Sequence, residues 1–230
     1  MFSRKLLTRI PTPQISKGCR LFSNIGTDNI LRSKFRSDEL ENEKHETTVP
    51  KVVMKHFNRP DMRDKIALQD GFTGETATYG QLYLRAYSCA YSLQKNYGVK
   101  SDVCVGILSP NHVNFFTAFH GIALTGGFST TINPLYVEEE IELQLKITKA
   151  AMLIAHPLCM PKALIVAKKL NITVLALGDK VDGAASFNDL LNVPIENINP
   201  NSFGANGDIA SLMTLPFSSG TTGLPKVLLI

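Results

Sequence analysis

Residues 102–108 read DVCVGIL, one acid followed by six residues that are apolar or glycine. The run is short for a helix and lacks the alternation of a strand with one wet face. Two of its residues are valine, and a continuous apolar run of this kind suits a strand covered on both faces of a parallel sheet. The flanking sequence supplies helices for that cover. Thr78 and Gln81 have the spacing of a capping box. Leu82, Ala86, Cys89, Ala90, Leu93 and Tyr97 then recur at helical spacing until Gly98 closes the helix. Downstream, the pattern predicts a helix over 111–124, a strand over 127–133 and a helix over 138–148, whose three opening acids suit the positive end of a helix dipole. A strand over 151–156, a helix over 161–170 and a strand over 172–178 follow. Upstream, Thr47 or Thr48 caps a short helix with Pro50 in its first turn, and strands over 65–70 and 75–79 flank the turn Gly71–Gly74. Residues 192–207 are irregular and polar, and IASLMTLPF (209–217) is the last strand. Strands alternating with helices predict an α/β fold with a mainly parallel sheet, and there is no internal repeat.

Composition narrows the function classes. With 230 residues, 44% of them hydrophobic and 19% charged, the chain can bury a sizeable core as one large domain or two small ones. The net charge is +4, yet Arg4, Lys5, Arg9, Lys17 and Arg20 all fall in the first 20 residues. The rest is close to neutral, which argues against a nucleic-acid-binding body. Cys19, Cys89, Cys104 and Cys159 form no C-x-x-C pair and read as small core residues in a reducing compartment. No apolar run reaches the roughly 18 residues of a membrane span. His45, His56, His112, His120 and His156 lack metal-ligand spacing and read as structural or surface residues. Glu138, Glu139 and Glu140 read as a helix start rather than paired catalytic carboxylates, and Ser109 and Ser129 have no evident His and acid partners for hydrolase chemistry.

The first acid is Asp28. On a helix, Phe2, Leu6, Leu7 and Ile10 share one arc and Arg4, Lys5 and Arg9 the opposite one, until Pro11 and Pro13 end the pattern. A basic, acid-free, amphipathic start of this kind resembles a mitochondrial presequence over residues 1–27, with Arg20-Leu21-Phe22-Ser23 as a cleavage context. The expected location is therefore the mitochondrion, with the cytoplasm or peroxisome as alternatives. Residues 28–48 are rich in charge, poor in large apolar residues, and read as a solvated linker. The folded body is expected from 49 to 230.

After the last strand comes SSGTTGLPK, residues 218–226. Ligands of open α/β sheets sit beyond the carboxyl ends of strands. Gly220 and Gly223 allow positive φ and close backbone approach to an anion. Ser218, Ser219, Thr221 and Thr222 offer hydroxyl donors, Lys226 a positive charge, and Pro225 a stiff approach to it. These groups suit a triphosphate. The plainer reading is a polar turn joining LMTLPF to VLLI. Nine residues of this kind, ending in Pro-Lys after a buried strand, favour the phosphate reading. The loop is no Walker motif, because Gly220 and Gly223 are three apart and Lys226 follows proline, and there is no G-x-G-x-x-G after a strand.

SSGTTGLPK resembles the signature of the adenylate-forming superfamily, which includes acyl- and aryl-CoA ligases, luciferase and peptide-synthetase adenylation domains. GIALTGGFSTTINPLYVEEEI (121–141), TATYGQL (76–82) and VGILSPN (105–111) resemble further blocks of that family. The wording is nearest the 4-coumarate–CoA ligase and luciferase-like branch. The resemblance implies two steps: a carboxylic acid, fatty or aryl, reacts with ATP to give an acyl-adenylate and pyrophosphate, and coenzyme A then displaces AMP. It implies that Ser218, Ser219, Gly220, Thr221, Thr222, Gly223 and Lys226 contact the β- and γ-phosphates, with Mg²⁺ bridging phosphate oxygens and Lys226 and Thr222 acting on the developing charge.

The match is incomplete. The family usually has glycine after the lysine of this loop, where this chain has Val227, and its members are more than twice as long. The resemblance therefore implies the N-terminal part of a ligase, inactive by itself; the alternative is a truncated, non-catalytic product with a folding, binding or regulatory role. The address is directly testable. Residues 1–35 fused to a fluorescent reporter are expected to carry it into mitochondria, and diffuse cytosolic signal would remove the assignment.

Overall fold

The computed structural model describes residues 23–25, 31–33, 48–203, 212–218 and 226–227. It divides into two units, residues 1–45 and 46–230. In the first, β1 (Ser23–Ile25) pairs antiparallel with β2 (Leu31–Ser33). The amphipathic helix expected over 2–10 lies outside the described residues.

The second unit opens with α1 (Val49–Phe57), which has Pro50 in its first turn. Thr48 occupies the N-cap position, but its hydroxyl makes no capping bond. Next come β3 (Ile66–Gln69) and β4 (Thr76–Thr78), paired antiparallel. Asp70 shapes their turn, its Oδ1 accepting from the Phe72 and Thr73 N–H groups at 2.9 and 2.7 Å. The capping box forms as expected: Thr78 Oγ1 accepts from the Gln81 N–H, and Gln81 Oε1 from the Thr78 N–H. It starts α2 (Tyr79–Tyr97), which ends at Gly98 in the left-handed region.

The expected α/β alternation follows: β5 (Cys104–Leu108), α3 (Val113–Leu124), β6 (Phe128–Ile132), α4 (Glu138–Thr148), β7 (Met152–Ala155), α5 (Met160–Leu170) and β8 (Thr173–Ala176). Boundaries shift where caps intervene. β5 begins late because Asp102 turns the chain at φ 67°. α3 begins at Val113 because His112 is extended and caps the helix with its own side chain. A two-residue strand, β9 (Ala185–Ser186), was not expected from the sequence; it pairs with β8. The sheet order is β6-β5-β7-β8-β9, and every pair is parallel.

All five residues of β5 are buried, and the pleat sends them alternately to two cores. Cys104 and Leu108 pack with Ile141 and Leu145 of α4 and Val166 of α5. Val105 and Ile107 pack with Cys89 and Leu93 of α2 and Ile122 of α3. Each valine, leucine and isoleucine among them contributes about 1.5–3 kcal/mol on burial. The described cysteines, Cys89, Cys104 and Cys159, are free and buried, and burial pushes the Cys104 thiol up to about 11.

One expectation is corrected. The strand expected over 209–217 is not continuous through its described part: Thr214 makes a single parallel bridge to Ser129 of β6. The next strand, β10 (Phe217–Ser218), pairs antiparallel with β11 (Lys226–Val227). At the sheet edge Thr130 Oγ1 donates to the Leu215 carbonyl and Gln144 Nε2 to the Thr131 carbonyl.

The α2–α3 contact depends on Gly121, where an added Cβ would lie 2.6 Å from Cys89 Sγ and 2.9 Å from Cys89 Cβ. Gly121→Ala is expected to destabilise the fold by about 1–3 kcal/mol in urea unfolding. Gly71→Ala, at a position with open space around it, serves as the near-neutral control.

Candidate functional site

The topology directs residues 213–215 toward the carboxyl ends of the strands. Met213–Leu215 runs parallel to β6 along its outer edge, so it leaves the sheet at that end. The Ser129 N–H donates to the Met213 carbonyl (3.1 Å), and the Leu215 N–H donates to the Ser129 carbonyl (2.8 Å). Ser129 Oγ donates to Thr214 Oγ1, which donates to the Ser129 carbonyl, both at 3.2 Å. Two residues beyond Leu215 the hairpin begins. Ser218 and Lys226, the two ends of the candidate loop, are Cα partners in its register. Ser219, Gly220, Thr221, Thr222 and Gly223 lie outside the described residues, as do the side chains of Ser218 and Lys226.

Buried polar contacts hold the base of this hairpin. Gln144 of α4, 2% exposed, donates through Nε2 to Thr130 Oγ1 (2.7 Å) and to the Thr131 carbonyl (3.0 Å). Thr130 Oγ1 donates onward to the Leu215 carbonyl (2.9 Å). Gln144 Oε1 is buried without a partner among the described residues. Such an orphan costs about 1–3 kcal/mol, so the donor contacts of the same amide must offset it. At the end of β6, Asn133 Oδ1 accepts from the Leu135 N–H (2.9 Å). Lys162 of α5 donates to the carbonyls of both Pro134 and Tyr136. The Asn-Pro segment is thereby fixed at the same end of the sheet toward which Leu215 points.

A second feature was not foreseen from the sequence. The strand order reverses at β5, whose successor lies on one side while β7 lies on the other. Such switch points open crevices at the carboxyl ends of strands. A cleft of about 400 Å³ lies among residues that follow β5, β8 and β9, bordered by His112, Asn114, Asp179 and Asn188 together with Arg85 of α2. Its amides largely satisfy one another. Asn114 Nδ2 donates to Asn188 Oδ1 (3.2 Å), and Asn188 Nδ2 donates to Asp179 Oδ1 (2.9 Å). Each of these residues is unremarkable in the sequence, and only the fold brings them together. Beside the cleft, His112 Nδ1 accepts from the Asn114 N–H and His156 Nδ1 from the Leu158 N–H. Their rings meet edge to face at 5.3 Å. Both histidines therefore serve as caps, in keeping with a structural reading. Among the described residues no group of three His, Cys, Asp or Glu side chains could hold a metal, and no helix is long and apolar enough to cross a membrane.

Comparison with known proteins identifies the context of this geometry. The profile of a family described as AMP-binding enzyme matches residues 56–230. The 4-coumarate–CoA ligase 1 of Petroselinum crispum is 33% identical over 182 residues, which are 77% of this chain and 32% of the relative. The chain thus spans about a third of that relative's length. Among solved structures, an anthranilate CoA ligase in complex with anthranoyl-AMP superposes with a TM-score of 0.68 at 24% identity, covering 85% of this chain and 35% of the other. The luciferase-like enzyme of the nonluminescent mealworm Zophobas morio gives 0.70 at 19% identity, covering 81% and 43%. These two likenesses bear on the fold.

The histidines yield a pH prediction. His120 is buried against Phe116 and Phe119, at 4.2 and 5.5 Å between ring centroids. Burial pushes its pKa down from 6.5 to about 4. Burial also lowers His112, against the opposing pull of Glu75 and Asp70, and lowers His156, where His112 adds to the effect. A base depressed in the folded state favours the neutral form. Its stabilising contribution is full above the unfolded value of 6.5 and is lost as pH falls toward 4. Urea unfolding at pH 7 and pH 4.5 is expected to show a loss on the order of 2 kcal/mol from His120 alone, and His120→Phe should flatten that dependence.

Proposed function

The chain belongs to the AMP-binding enzyme family, and we propose that it supplies the triphosphate-binding part of an enzyme that activates a carboxylic acid with ATP and transfers the acyl group to coenzyme A. The observation that carries this reading is the delivery of Ser218 and Lys226, as partnered ends of one hairpin, from a segment pinned to the edge of a parallel sheet. In the proposed reaction a carboxylate oxygen attacks the α-phosphorus of ATP, and the bond to pyrophosphate breaks. The coenzyme A thiolate then attacks the acyl carbon and AMP leaves.

The assigned residues fit a triphosphate chemically. Two glycines, Gly220 and Gly223, let backbone N–H groups approach phosphate oxygens. Ser218, Ser219, Thr221 and Thr222 add neutral donors. Lys226 adds the charge-assisted contact that offsets negative charge on the departing pyrophosphate. Mg²⁺ would enter with the nucleotide and would offset part of its phosphate charge beside Lys226. The kinship with a 4-coumarate–CoA ligase supports an aryl acid, and a fatty acid is the other class within the proposal. The basic, acid-free first 27 residues support a mitochondrial location.

The test joins this chain to the remaining two thirds of a relative and measures the half-reactions separately. Lys226→Ala should slow acid-dependent pyrophosphate release by about 10- to 100-fold, as expected for loss of a charge-assisted contact. Thr222→Val should cost less, since a neutral hydrogen bond contributes about 1 kcal/mol. Thioester formation from preformed acyl-adenylate should be nearly unchanged in both variants, because pyrophosphate has already left. Equal loss in both half-reactions, with earlier melting, would mark residues 218–226 as a structural turn.

A further inference from the structure

We propose that the cleft bordered by Arg85, Asn114 and Asn188 binds a free α-amino acid, Arg85 holding its carboxylate while Asn114, Glu75 and Asp179 accept from its ammonium group. The site is separate from residues 218–226 and does not depend on the phosphate-loop reading.

The walls of the cleft are tied together. Arg85 lies on α2, and Ser88 and Ser92 follow it on the same side of that helix. Both serines are buried, and both donate to the Leu190 carbonyl, at 2.8 and 3.1 Å. The Val193 N–H donates back to Ser88 Oγ at 2.9 Å. The 3-10 turn Asn188–Leu191 is thereby fixed against the helix that carries Arg85. Its first residue is held as well: Ser186 Oγ accepts from the Asn188 N–H at 3.1 Å and donates to the Gly178 carbonyl at 2.7 Å. Walls fixed in this way lose little freedom when a ligand enters.

The hydrogen-bond directions leave specific groups open. The Asp179 carboxylate only accepts, so Asn188 turns its nitrogen toward Asp179 (2.9 Å) and its oxygen toward Asn114 Nδ2 (3.2 Å). Asn114 Oδ1 is left as an acceptor without a donor among the described residues, on a residue only 9% exposed. Asp179 keeps one oxygen free of Asn188. Arg85 is half-buried and makes no hydrogen bond or ion pair among the described residues. A cation drawn partly out of water without a partner is costly, and a bound anion removes that cost. Glu75 also lines the cleft, and its charge reaches His112.

The charges select the class of ligand. Arg85 carries one positive charge, whereas Glu75 and Asp179 carry two negative ones. A simple anion gains Arg85 and meets two carboxylates. A simple cation gains the carboxylates and leaves Arg85 unpaired. A zwitterion uses both sets. The planar guanidinium matches a carboxylate through two parallel bonds. An ammonium has three hydrogens, and Asn114 Oδ1, Glu75 and Asp179 offer three acceptors for them. A volume of about 400 Å³ falls within the range of small-molecule sites, so the carboxylate and ammonium can be accompanied by a side chain.

The experiment titrates the 230-residue chain and follows proton–nitrogen correlation spectra. Glycine, serine, glutamine, lysine and glutamate are added separately, each to about 10 mM, with acetate, methylammonium and inorganic phosphate as single-charge controls. At least one amino acid should give saturable shifts at the side-chain amides of Asn114 and Asn188, and the controls should give none. The N-acetyl form of that amino acid, which lacks the ammonium, should not bind. Arg85→Met keeps the apolar stem and removes the guanidinium, and Glu75→Gln removes the charge of an exposed side chain. Each should weaken binding about tenfold or more, the loss expected for one charge-assisted contact, with the urea midpoint of the parent retained. If Arg85→Met lowers that midpoint, Glu75→Gln decides. Absence of saturable shifts with all five amino acids would overturn the proposal. So would acetate or phosphate producing the same shifts at equal affinity, which would make the cleft an anion pocket, or undiminished amino-acid affinity in Glu75→Gln.

Discussion

Burial of β5 on both faces is the constraint on which the described fold depends. A strand with no wet face needs helices above and below, and each helix must present an apolar stripe of its own. Cys104 and Leu108 bring α4 and α5 to one face, and Val105 and Ile107 bring α2 and α3 to the other. With both faces occupied, polar groups are left two places: the strand ends and the sheet edge. The candidate hairpin leaves from the edge and the cleft beside Asn114 and Asn188 opens at the ends, so both features follow from the saturation of the centre.

Polar residues in this unit act as local punctuation. Thr78 with Gln81, His112 and His156 each fix where a helix begins by accepting from a backbone N–H. Lys162 ties α5 to the segment after β6, and Glu142 joins α4 to α5 through Lys169 at 3.3 Å. Such contacts are individually modest. Together they decide the directions in which the connections leave a core that is otherwise indifferent to direction.

What could be read in the sequence was what is encoded locally. The apolar run at 102–108, the capping box at 78–81 and the three acids opening α4 each carry their signal within a few residues, and all three produced the expected elements. β9 was missed because Ala185 and Ser186 have no strand signature. Its place is set by contacts from outside the strand, with the Phe187 N–H donating to the Ala176 carbonyl and Ser186 Oγ to the Gly178 carbonyl. The strand expected over 209–217 was misjudged for the opposite reason. Its apolar character suits a long strand, but pairing with β6 in its described part is a single bridge at Thr214, set by Ser129 far away in the chain. Composition sufficed to propose the phosphate loop, while the pairing of Ser218 with Lys226 carries no local signal of its own.

The bond from Thr130 to Leu215 spans 85 positions of the chain. β6 reaches its neighbour β5 through a single helix, so one side of β6 can pair early during synthesis. The other side waits until the segment around Thr214 has been made and released. Over that interval the growing chain carries an open strand edge, the kind of surface that pairs with other chains. Residues 213–215 are thus also the seal on that edge, and any event that halts synthesis before them yields a chain with a ready template for self-association.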